Sequence, residues 1–98
     1  MQVPAAAPAV LVTPEAQRMW ARAIEKGWVD DRWKPLISQP RAAILASVMG
    51  EGLNLTPQWP PFEQLWGIPD LATKYTRAQE NFYYPDLLKL MNQELLNL

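Results

Sequence analysis

The 98-residue sequence contains neither cysteine nor histidine. Without cysteine there is no disulfide framework and no thiolate metal site, so packing must supply the stability, and redox compartment cannot be read. Without histidine the chain lacks the commonest general base near neutral pH and, with cysteine also missing, the usual transition-metal ligands. Catalysis would have to rest on carboxylates, lysine, tyrosine or serine, and none of these stands in a pattern that fits the chemistry. Asp30 and Asp31 are adjacent, so their side chains diverge, and the alternating oxygen ligands of a calcium loop are missing; they read as a solvated turn. Ser47 lies in Ala-Ser-Val-Met-Gly, which is not a nucleophile elbow. Gly50-Glu51-Gly52 has neither the third glycine of a dinucleotide fingerprint nor the lysine of a phosphate loop. The expectation is a chain with no catalytic residue, metal, cofactor or small-molecule substrate.

Charge of one sign is lacking as well. Nine basic residues face ten acidic ones, for a formal net charge of −1, so no overall field draws the chain to nucleic acid or anionic lipid. No apolar run approaches the roughly 20 residues that span a bilayer. The stretch from Met1 to Val12 has no Lys or Arg ahead of its Pro-interrupted apolar run. No membrane span and no secretory signal are expected, and a cytoplasmic location is.

What is present is an ordinary globular composition, 49% hydrophobic and 19% charged, in a length that suits one domain. Residues 1–12 (MQVPAAAPAVLV) are uncharged, rich in Pro and Ala, and offer no periodic face; they are predicted to be a flexible arm, with a single helical domain over 13–98. Proline then recurs at positions 14, 40, 61 and 85, where helices would begin and where a missing N–H costs no bond.

The first helix is predicted from Pro14 to Lys26, capped by Thr13 and stopped by Gly27. Ala16, Met19, Trp20, Ala23 and Ile24 share one arc, opposite Arg18, Arg22, Glu25 and Lys26. Residues 28–37 read as a connection that turns its aromatics inward, with room for a short strand. A second helix starts near Ser38 or Gln39 and ends at about Met49, before Gly50 and Gly52; it is apolar nearly all round and therefore central. Tandem prolines and Gly67 bracket a third of about two turns. The fourth is capped by Asp70 and carries a narrow seam of Leu71, Tyr75, Ala78 and Phe82. The fifth starts at Pro85 and places Leu87, Leu88, Met91, Leu95 and Leu98 in one arc, with Leu90 and Leu96 outside it. The expected fold is all-α, a compact bundle or orthogonal array of about five short helices. In a domain this small the tryptophans at 20, 28, 33, 59 and 66 are assigned to the core.

Three surfaces remain as candidate sites. Arg18, Arg22 and Lys26 recur every four residues as a basic ridge, which Arg32 and Lys34 would extend and which would suit phosphate. From Phe62 to Ala78 the chain invites a helix-turn-helix reading that exposes Thr73, Lys74, Arg77 and Asn81 to bases and phosphates. Glu63 occupies the position that should be small, Thr73 and Thr76 stand where apolar residues belong, and Asp70 and Glu80 cancel the local positive charge. The third surface is Leu90 and Leu96, expected to meet a partner or a second copy.

Ala23-Ile24-Glu25-Lys26-Gly27-Trp28-Val29, Ala42-Ala43-Ile44-Leu45-Ala46 and Trp59-x-x-Phe62-Glu63-x-Leu65-Trp66-Gly67 resemble segments of small Bacteroidetes proteins associated with mobile elements. More distantly, residues 19–95 resemble the C-terminal region of the RteC family of conjugative-transposon regulators. The resemblance implies a helical regulatory or accessory module and transfers no site residue. The resulting expectation is a non-enzymatic interaction module that binds a protein partner or itself, the alternative being a DNA-binding transcriptional regulator associated with a mobile element.

Overall fold

Local cap chemistry sets where the helices start. In the computed structural model, which describes residues 3–96, the Thr13 hydroxyl accepts from the Ala16 N–H at 3.2 Å and Pro14 opens α1 (Pro14–Glu25). Ser38 caps α2 (Gln39–Gly52) in the same way, and Asp70 caps α4 (Leu71–Gln79). The tandem prolines fall in the first turn of α3 (Trp59–Trp66), and Gly67, at φ +67°, ends it in the left-handed region that glycine enters without penalty. The last helix is α5 (Tyr84–Leu96). All-α architecture is thus confirmed, with five α-helices among the described residues.

The core is built around α2. Every residue from Ala42 to Gly50 is buried, and α3, α4 and α5 pack on this helix while α1 lies against α5. Its end differs from expectation: the helix runs through Gly50 and Gly52 to include both. The glycines serve close packing here, since a Cβ on Gly50 would come within 2.8 Å of the Gln58 Cβ, and one on Gly52 would collide with Leu96 and Met19.

An aromatic cluster joins α1, α3 and the 28–37 connection. Trp20 and Trp33 stack with centroids 5.1 Å apart and planes 7° from parallel, while Phe62 and Trp66 close on the Trp20 ring at 6.1 and 6.2 Å. Trp33 holds φ +67°, a strained conformation for a bulky residue, and is fixed there by complete burial and by its carbonyl, which accepts from Trp66 Nε1 at 2.7 Å. The connection contributes one isolated bridge, Val29 with Pro35. Trp28 and Trp33 are buried as predicted, and Trp59 is half-buried against Tyr75.

Two boundaries are corrected. The packed unit reaches back before residue 13: Ala9–Leu11 form a 3₁₀ turn, Leu11 is completely buried, and its carbonyl accepts from Trp20 Nε1 at 3.1 Å. A buried indole N–H needs an acceptor, and the segment read as an arm supplies it. At the other end of the fold, Phe82 does not continue the α4 seam. The helix stops at Gln79, Asn81 Nδ2 donates back to the Arg77 carbonyl, and Phe82 falls in the turn before α5. Of the predicted fifth-helix arc, Leu98 lies outside the described residues.

Candidate interaction surface

The α4–α5 corner carries the most exposed large apolar side chain of the described residues: Phe82 is 91% exposed. Its neighbour Tyr83 is half-buried, and the two rings meet edge to face at 5.8 Å. Arg41, in the first turn of α2, lays its guanidinium over the Tyr83 ring at 4.3 Å from the centroid. Phenylalanine, tyrosine and arginine thus stand together on a corner braced by the central helix. Just inside, the hydroxyls of Tyr75 and Tyr84 share a hydrogen bond of 2.6 Å that ties α4 to α5. Partial burial, then this bond, push the Tyr75 hydroxyl up from its ordinary pKa.

The basic ridge is divided by its partners. Arg22 Nε donates to Glu94 Oε2 at 2.7 Å, its guanidinium also reaches Glu25 at 3.1 Å, and Lys26 Nζ lies 3.2 Å from Glu94 Oε1. Two of the three predicted phosphate contacts are therefore engaged in clamping α1 to α5. Withdrawal from water raises the Glu94 carboxyl, and hydrogen bonds from Lys26 and Arg22 lower it by more, so it ends below its ordinary value. The hydrogen bond to Glu94, with one to Glu25, likewise raises Arg22. Arg18 is exposed and lines a concavity of about 440 Å³ with Met19, Gly52 and Leu96.

The second predicted donor set is partly engaged near α4. Lys74 Nζ donates to the Pro69 carbonyl at 2.8 Å and Asn81 Nδ2 to the Arg77 carbonyl, whereas Thr73 is exposed. Arg77 is exposed. Glu63, which fits a helix-turn-helix poorly, has another role: its carboxylate accepts from the Leu71 N–H at 2.9 Å and so joins α3 to the start of α4. Leu90 and Leu96 are 41% and 40% exposed, but Leu96 rests against Gly52 and fills part of the α2–α5 contact.

A further concavity, about 300 Å³, lies between the 3₁₀ turn and the α2–α3 connection, walled by Pro8, Val10, Leu55, Pro57, Pro60 and Pro61. Among the described residues no His, Cys, Asp or Glu groups gather as a metal site, and no helix is long and apolar enough to cross a membrane. No family model matches the chain, and no curated protein or solved structure matches it.

Sequence reasoning missed Phe82 and the proline-walled groove. A signal for the first was present, because Asn81 and Pro85 mark a helix end and a helix start so close together that Phe82 must sit in the turn between them. The groove had none, since its walls come from segments some fifty residues apart.

Proposed function

We propose that the chain is a non-enzymatic helical interaction module of the cytoplasm, and that it meets a protein surface through the α4–α5 corner. The observation that carries this reading is the 91% exposure of Phe82 beside Tyr83 and Arg41. Burying such a ring stabilises a complex by about 1.5–3 kcal/mol, and aromatic and arginine side chains are enriched where interfaces gain most of their energy. The alternative of DNA binding has less support, because Arg22 and Lys26 already face Glu94.

The test is site-specific photocrosslinking. With a benzophenone amino acid at position 82, the chain expressed in its own cells should give a discrete protein adduct that is absent when the probe is moved to exposed Gln79. Equal, diffuse labelling from both positions would overturn the proposal.

A further inference from the structure

We propose that Tyr75 and Tyr84 form a site of oxidative cross-linking, at which a one-electron oxidant joins the two rings as a dityrosine and staples α4 to α5. The proposal does not depend on whether Phe82 meets a partner.

The pair is held close to the geometry of the product. The hydroxyl oxygens lie 2.6 Å apart and the ring centroids 5.8 Å, with the ring planes 74° from parallel. In a dityrosine the new carbon–carbon bond joins the ring positions next to the two hydroxyls, which brings those hydroxyls face to face while the rings stay twisted about the bond. The crossed, hydrogen-bonded arrangement is therefore already in place, and the centroids have only to close by about one bond length. Both side chains are half-buried, and side chains that still touch water shift on the picosecond-to-nanosecond scale, fast enough for that approach.

The chemistry balances on the two phenols and the oxidant. Each phenol gives up one electron and one proton and becomes a phenoxyl radical. The radicals couple ortho to ortho, and the hydrogen on each joined carbon moves to the oxygen of its own ring, which restores both phenols. The chain loses two electrons and two protons in all, so the co-reactant is a one-electron acceptor used twice, such as a peroxide-derived radical. The protons leave to water, which reaches both half-buried rings. Trp59, 5.4 Å from Tyr75, feeds the same site, because an oxidised indole there draws its electron from the neighbouring phenol.

Position favours a link within one chain. A pair already in contact couples without having to meet by diffusion. The sequence has three tyrosines, and the ring of the third, Tyr83, is engaged by Phe82 and Arg41 instead. The bond closes residues 75–84 into a loop that contains the whole α4–α5 turn, so oxidation would lock the turn in the form described above.

Illumination of the dilute full chain with ruthenium tris-bipyridyl and persulfate tests this, each persulfate accepting the two electrons of one link and leaving as two sulfates. The parent should stay a monomer, lose two hydrogens in mass and gain the blue fluorescence of dityrosine, with a yield per chain that does not change on dilution. Trypsin should then release Tyr75–Arg77 still bonded to Ala78–Lys89, because cuts after Lys74, Arg77 and Lys89 place the two tyrosines on separate peptides. Tyr75→Phe and Tyr84→Phe should each cut the fluorescence by at least ~10-fold, since neither leaves two tyrosine rings held in contact. Tyr83→Phe should leave it unchanged, and circular dichroism checks that each variant is folded. Fluorescence that persists in Tyr84→Phe, a link found only between chains, or a parent that takes up oxygen on methionine and tryptophan while forming no dityrosine would each overturn the proposal.

Discussion

Gly50 and Gly52 stand two positions apart in the last turn of α2, yet a methyl group added to each meets different material. In an open helix, Gly→Ala gains about 1 kcal/mol of stability. At Gly50 the new carbon would lie 2.8 Å from the Gln58 Cβ, which is fixed to its backbone, so Gly50→Ala should destabilise despite the better helix propensity. At Gly52 the obstacles are the far ends of Leu96 and Met19, which can swing aside, and Gly52→Ala should be nearly neutral. Urea denaturation of both variants checks this, and equal effects would contradict it. The same measurement separates the aromatics. Trp66, 5% exposed and bonded to the Trp33 carbonyl, should cost about 3–5 kcal/mol when replaced by Ala, whereas Phe82→Ser should change stability by no more than about 0.5 kcal/mol.

Between elements, the contact most open to titration is Glu94 on α5 against Arg22 on α1 and Lys26 just past its end. Because the folded state lowers the pKa of this carboxyl, its contribution is full above the unfolded glutamate value of about 4.3 and is lost as pH falls through the lower folded value. The difference in melting temperature between the parent and Glu94→Gln should accordingly be steady near neutrality and shrink in acid. A difference that persists unchanged at the acid end would show that the carboxylate charge is not what matters. This clamp also shows where sequence reading stops. Helix starts at Thr13, Ser38 and Asp70 were legible because a cap and its N–H lie within three residues, and the central place of α2 followed from its apolar surround. Glu94 meets Arg22 across 72 residues, and no local period encodes that pairing. Glu63 was legible only as a misfit, since its partner, the Leu71 N–H, belongs to the next helix. Of the ridge residues, Arg18 and Arg22 lie on α1 and Lys26 just past its end, and the pairing of Arg22 and Lys26 with Glu94 was not foreseeable.

Across the whole molecule, the core reaches back before α1 to Leu11, with Ala7 and Val12 packed against it. A radius of gyration of 12.1 Å matches the ~13 Å expected for a packed chain of this length, and Leu11 supplies both a buried side chain and the acceptor for Trp20. Removing residues 1–12 should therefore lower stability by about 2–5 kcal/mol, the usual effect of emptying a buried leucine site, and chemical denaturation would detect it. An unchanged unfolding midpoint would return that segment to the status of an arm. The Trp20–Trp33 stack offers an optical consequence. Two indoles held nearly parallel at 5.1 Å share their electronic transitions, so light absorbed by one is delocalised over both. The far-ultraviolet circular dichroism, where the strong indole transition lies, should carry a paired positive and negative band that belongs to neither ring alone and weakens with Trp33→Phe, which leaves only Trp66 beside Trp20. Because one indole rides on α1 and the other on the 28–37 connection, that couplet reports in real time whether the connection is seated, and it can be followed without attaching any dye.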